Sequence, residues 1–245
     1  MINLGIIGNL QFDWIINLLR GKEKKNPQKS KLFLVLSLHR SGSSATAGVL
    51  HHLGVHMGDN LLDADYSNPK GHFENLDFLK INEKILASVG AKWSAPPLRE
   101  TIISSNFSKC EIRSFLLNQK KPIWGLKDPR TVLTFDIWKS HLEDIADVTY
   151  VFVWRSLEES AQSLANRHKY DLIAAREILA AYFENLMYFR EKLEKENRDI
   201  IDVQFNNLLD RPEDFIKEIN LRINQPSDHN LDVIKKFLDK RLKHF

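Results

Sequence analysis

Residues 32–54, LFLVLSLHRSGSSATAGVLHHLG, constrain the fold of this chain more than any other stretch. Leu32–Ser37 is a nearly continuous apolar run, as a strand buried on both faces requires. It stops at a knot of small polar residues, His39-Arg40-Ser41-Gly42-Ser43-Ser44, and the apolar spacing that follows predicts a helix over Ser43–Leu53. Strand, tight turn and helix in that order aim free N–H groups at one point, where an anion is stabilised. Gly42 lets the backbone approach that anion, Ser43 and Ser44 add hydroxyl donors, and Arg40 adds a guanidinium that can fork across two oxygens. A Walker-type triphosphate loop would carry glycine in place of Ser37 and lysine in place of Ser43. The turn is kept and the lysine is not. The plainer alternative is a serine-rich turn that only caps a helix.

The rest of the chain alternates in the same way. Apolar runs at Pro122–Lys127, Val148–Trp154 and Ile200–Phe205 predict three further strands. Helical patterns fall at about Asn75–Val89, Cys110–Gln119, Thr131–His141, Leu157–His168, Asp171–Asn197, Pro212–Ile223 and Leu231–Leu242. This order predicts an α/β, P-loop-like, three-layer fold with a central parallel sheet and helices on both faces. Ligands of such sheets sit beyond the carboxyl ends of the strands, so strand-end residues carry the functional reading.

The polar stretch GKEKKNPQKSK marks a linker, dividing an N-terminal helical and basic segment, 1–31, from a domain over 32–245. In the first segment Ile7, Leu10, Trp14 and Leu18 stand at helical spacing, which suits packing on a partner or contact with a membrane surface. Asn9, Gln11, Asp13 and Asn17 interrupt it well short of a spanning length. A net charge of +3 is too small to argue for nucleic acid but allows an anionic ligand. The single cysteine, Cys110, excludes a disulfide framework and a cysteine-based zinc cluster, and a cytoplasmic setting is expected. His51, His52 and His56 lack a partner at metal-ligand spacing and read as helix-face residues, so no metal site is expected.

At the end of the third predicted strand stands Arg155, with Ser163 eight residues on along a predicted helix. Both reach one phosphate if that helix packs back over the strand end. With the first loop, the pair suggests a ligand with two phosphate-like groups.

This ordered combination resembles the sulfotransferases that use 3′-phosphoadenosine 5′-phosphosulfate (PAPS). The resemblance rests on HRSGSSA for the 5′-phosphosulfate loop, RSLEESAQS for the Arg–Ser pair on the 3′-phosphate, LLDADYSNPKGHFEN, and VQFNNLLDRPEDFIKEI. It is closest in type to bacterial carbohydrate-type and tyrosylprotein-like branches, since many cytosolic members have lysine where this chain has Arg40. An aromatic residue that holds adenine in those members is replaced by Ala45.

The resemblance implies a PAPS donor bound by Arg40, Ser41, Gly42, Ser43, Ser44, Arg155 and Ser163, and transfer to a hydroxyl of a carbohydrate-like acceptor. Arg40 would stabilise the leaving phosphate. Lys127, at the end of PIWGLK, would contact the sulfuryl oxygens, unless it only pairs with Asp128. Glu74 in GHFEN is the expected base, with His72 as its rival; alternatively Asn75 caps a helix and leaves Glu74 in solvent. Trp93 would stack on a sugar ring or pack in the core, and Arg130 would touch the acceptor or pair with Asp128. Two other readings stay open. A divergent P-loop kinase would need Asp128 to hold Mg²⁺, and a non-catalytic nucleotide-binding domain would keep only the fold.

Overall fold

In the computed structural model the apolar run at Leu32 becomes β1 (Ser30–Ser37) and takes an inner place in a four-stranded parallel sheet. The structure describes residues 29–66 and 68–238. The amphipathic pattern read at Ile7–Leu18 lies outside them.

β1 is followed by α1 (Ser43–His52), α2 (Leu76–Ser88), α3 (Arg99–Ile103) and α4 (Lys109–Gln119). Then come β2 (Ile123–Lys127), α5 (Thr131–Ile145), β3 (Ala146–Trp154), α6 (Leu157–His168) and α7 (Leu172–Lys195). β4 (Asp199–Gln204), α8 (Phe205–Asp210), α9 (Glu213–Arg222) and α10 (Leu231–Phe237) complete the described chain. The sheet order is β2-β1-β3-β4.

Because side chains alternate across a strand, β1 feeds two cores. Leu32, Leu34 and Leu36 pack with α2 to α7, while Phe33 and Val35 pack with α1, α8, α9 and α10. β3 splits in the same way, Tyr150 and Phe152 to one side and Val151 and Val153 to the other. These residues are fully or almost fully buried, each aliphatic one contributing about 1.5–3 kcal/mol. The expected three-layer α/β architecture is what forms.

The elements differ from the sequence reading in several places: β1 opens at Ser30, inside the stretch read as linker, α5 runs on to Ile145, and β3 opens at Ala146. The strand expected to reach Phe205 ends at Gln204, because Phe205 opens α8 and packs its ring over the β1–α1 turn. α3 and α8 escape sequence patterning because they are too short to show a helical period. The helix expected over Leu231–Leu242 stops at Phe237, where Leu238 turns to extended backbone. Elsewhere local capping sets the ends: Asn75 Oδ1 accepts from the N–H groups of Asp77 and Phe78, and Asp171 Oδ1 from that of Ile173.

Candidate active site

The chain leaves β1 toward β2 on one side and returns to β3 on the other, so the strand order reverses between β1 and β3. A crevice opens at such a switch point. Here it is a cleft lined by the β1–α1 loop, Lys127 from β2 and Arg155 after β3.

The loop is built locally. Ser41 is buried and its hydroxyl donates to the Leu38 carbonyl at 2.9 Å, closing the turn. Arg40 and Gly42 both take the left-handed conformation, with φ of 63° and 95°. α1 begins with no side-chain cap and no acidic residue in its first turn. Among the described residues, the N–H groups of Ser43, Ser44 and Ala45 therefore lack a protein partner. A Cβ on Gly42 would meet Phe205 Cδ2 at 2.1 Å. Gly42→Ala, with strained backbone and a displaced ring, is expected to cost about 1–3 kcal/mol. A lower urea midpoint at unchanged slope would show it; an unchanged midpoint would refute the packing argument.

Lys127 ends β2 level with Val35 of β1, which places its side chain beneath the loop. It is 2% exposed, and its ammonium donates to Glu74 Oε1 at 2.5 Å, Ser44 Oγ at 3.1 Å and the His72 carbonyl at 3.3 Å. The Asn68 amide donates to Ser44 Oγ at 2.9 Å and to His72 Nδ1 at 3.3 Å. Ser44 Oγ thus accepts two N–H donors, and its own proton is left for the cleft. His72 Nε2 lies 3.2 Å from Asp65 Oδ2, so both its ring nitrogens are engaged.

Burial pushes the Glu74 carboxyl up, but Lys127, Arg130 and His72 outweigh it and hold the group below its usual value. Burial also holds the His72 imidazole below its usual value, against the pull of Glu74 and Asp65. Asn75 does cap α2, yet Glu74 is not in solvent; it is 7% exposed and faces Lys127.

Asp128 points to the opposite face of the sheet, as the residue after Lys127 must. It is fully buried and accepts from Asn82 Nδ2 at 2.8 Å, the Arg130 N–H at 3.0 Å and Arg130 Nη1 at 2.9 Å. Burial pushes its carboxyl up despite Arg130. The ion pair entertained between Lys127 and Asp128 is replaced by two pairs, Lys127 with Glu74 and Arg130 with Asp128.

On the β3 side Arg40 Nε donates to Ser163 Oγ at 3.1 Å. Arg155 Nη1 donates to the Arg40 carbonyl at 3.0 Å, and its Nε to Glu159 Oε2 at 3.1 Å. Burial, Arg167 and Arg155 bring the Arg40 guanidinium down to about 10. Three guanidinium groups so close favour an anion among them.

Five residues of the cleft lining have no role in the sequence reading: His39, Asn68, Pro129, Arg167 and Phe205. Arg167 follows Ser163 by four positions on α6, a helical spacing that could have found it. His39 sits within the loop itself. Nothing local marks Asn68 or Phe205. Trp93 packs against His39, His168 and Tyr170, with ring centroids 5.1, 5.1 and 6.5 Å away. His51 lies against Phe73 and His52 against Phe237, a packing role.

Solved structures with a similar fold include sulfotransferases and sulfotransferase domains. One is the sulfotransferase domain from the Synechococcus PCC 7002 olefin synthase, with a TM-score of 0.54 and 16% identity over 88% of this chain and 80% of that one. Another, from the curacin biosynthetic pathway, gives 0.50 and 16% over 81% and 75%. A sulfotransferase from Mycobacterium avium gives 0.52 and 13% over 91% and 71%. No protein-family model matches the sequence, and no curated protein matches it. At such identities the likeness is one of fold. None of the described helices is long and apolar enough to cross a membrane.

Proposed function

We propose that the chain is a sulfotransferase that moves the sulfuryl group of PAPS to a hydroxyl of a carbohydrate-like acceptor, in line and without a metal ion. The observation that carries this reading is the donor set of the cleft. The uncapped N-terminus of α1, the Ser44 hydroxyl and Lys127 meet at one point, and Arg40, Ser163 and Arg155 meet at the neighbouring strand end. Two anion positions, each served by fixed cations, suit a nucleotide with separate 5′ and 3′ groups. A sulfuryl group carries less charge than a phosphoryl, so side-chain cations suffice where a kinase shares the work between a lysine and Mg²⁺.

In this reading Arg40 stabilises charge growing on the leaving phosphate and Lys127 steadies the sulfuryl oxygens. As the acceptor oxygen bonds to sulfur, the bond from sulfur to the leaving phosphate oxygen breaks. The acceptor proton passes to Glu74 Oε2, the oxygen that Lys127 does not hold. The products are a sulfate ester and adenosine 3′,5′-bisphosphate. Glu74 is preferred to His72 because both ring nitrogens of His72 are already hydrogen-bonded. The kinase reading loses support from Asp128, whose two oxygens are taken by Asn82 and Arg130.

Thermal shifts with adenosine 3′,5′-bisphosphate, and with ATP plus Mg²⁺, test the donor class; only the first should stabilise. Transfer of labelled sulfate from PAPS should persist in excess EDTA. Activity that vanishes with EDTA and returns with Mg²⁺ would restore the kinase, and binding without transfer would leave a nucleotide-binding domain. Arg155→Ala should weaken adenosine 3′,5′-bisphosphate by about 2–4 kcal/mol while hardly changing adenosine 5′-phosphate, as loss of a charge-assisted contact to the 3′ group requires. Equal losses in calorimetric titrations of the two nucleotides would remove Arg155 from that role.

A further inference from the structure

His39 lines the cleft between the Lys127 side and the Arg167 side, and the sulfuryl-transfer reading leaves it without a task. Its hydrogen bonding is determined by its neighbours. The Tyr182 hydroxyl has one proton and gives it to the Trp93 carbonyl at 2.9 Å. His39 Nε2 lies 3.3 Å from that same hydroxyl oxygen, so the imidazole must be the donor there. The proton is thereby placed on Nε2, and Nδ1 keeps its lone pair. Among the described residues Nδ1 has no hydrogen-bond partner, and His39 is half-buried in the lining of the cleft. The ring is held in place by Trp93 and Tyr182, each with its centroid 5.1 Å away.

We propose that His39 is an acceptor-binding residue: its Nδ1 takes a hydrogen bond from an O–H or N–H group that the acceptor carries besides its reacting hydroxyl. The proposal rests on the sulfotransferase reading and narrows the acceptor to molecules with at least two such donors, as polyols and glycosides have. A neutral imidazole is what this task needs. Burial, then Arg130, Lys127, His168 and Arg167, holds the group well below its usual value. Arg130 belongs to the β2–α5 turn, Lys127 to the end of β2, and Arg167 and His168 to α6, while Tyr182 contacts the ring from α7.

Two isosteric variants separate this role from a structural one. Asparagine places an amide oxygen where Nδ1 stands and loses the reach to Tyr182. Glutamine reaches Tyr182 and has no acceptor at the Nδ1 position. With PAPS as donor, methyl glucoside is the polyol probe and cyclohexanol the single-hydroxyl probe. His39→Gln should raise the KM for methyl glucoside roughly tenfold, with the change in KM and not kcat, and leave cyclohexanol unaffected. His39→Asn should recover most of the loss. The reverse ranking, or equal losses on both probes, would make His39 a structural partner of Tyr182 and overturn the proposal.

Nitrogen NMR of imidazole-labelled protein bound to adenosine 3′,5′-bisphosphate reads the same claim without turnover. It should show an Nε2–H tautomer that stays neutral across the neutral range, with an Nδ1 signal that moves on adding methyl glucoside. A protonated ring, the other tautomer or an unmoved signal would overturn the proposal. Absence of transfer to both probes with the NMR response intact would count against the sulfotransferase reading alone.

Discussion

Lys127→Ala is expected to destabilise the fold by about 3–5 kcal/mol at neutral pH and to remove transfer with it. The lysine is 2% exposed and compensates Glu74, whose carboxylate is itself almost fully buried. With the ammonium gone, the only other cation near Glu74 among the described residues is Arg130, 3.9 Å away and already bonded to Asp128. An uncompensated buried carboxylate is the costly product. The pH dependence has a definite sign. In the native pair Glu74 is held below its usual value, so its contribution is present above the unfolded-state value and is lost as pH falls through the folded one. In Lys127→Ala the group is raised instead, so the deficit should be greatest at neutral pH and shrink on acidification. Urea midpoints of both proteins across that range measure it. The double variant Lys127→Met, Glu74→Gln should recover much of the stability and none of the transfer. A single variant as stable as wild type would mean the pair is solvated and the site more open than described.

That pair also shows where sequence reading stops. The β1–α1 loop was legible because each residue obeys a local rule: an apolar strand, a glycine at a left-handed turn, hydroxyls at a helix start. That Arg155 and Ser163 come to one place, beside Arg40, follows from a strand end and helix that are contiguous in sequence. The Lys127–Glu74 bond joins residues 53 positions apart and depends on β2 lying beside β1 in one register. A slip of one residue would exchange Lys127 with Asp128 across the sheet and pair a different set of charges. His39 stands in the most readable stretch of the chain, yet its proton is placed by Tyr182, 143 positions away. Phe205 closes the apolar run Ile200–Phe205 that predicts a strand; in the structure it packs above Gly42 as the first residue of α8. The residue types of the site were local information. The bonds that join Lys127 to Glu74, Arg40 to Ser163 and His39 to Tyr182 came from topology.

Glu74→Gln should lower turnover by roughly 10²–10⁴ with donor binding retained, because glutamine keeps the shape and removes the basicity. The amide oxygen still accepts from Lys127, but the lysine's charge is no longer neutralised. The cleft gains net positive charge, so affinity for adenosine 3′,5′-bisphosphate should hold or rise. That direction separates loss of a base from collapse of the site. In the wild type the group lies below its usual 4.5, burial being outweighed by Lys127, Arg130 and His72. The acid limb of the rate should therefore fall below the range of an ordinary glutamate, and Glu74→Gln should abolish that limb. His72→Ala removes a ring bonded to Asn68 and Asp65, so it should loosen Asn68 and with it Ser44. Its effect should appear in donor affinity more than in the chemical step. Single-turnover rates with saturating PAPS decide between the two. A Glu74→Gln enzyme that still turns over, beside an inactive His72→Ala enzyme, would give the proton to His72.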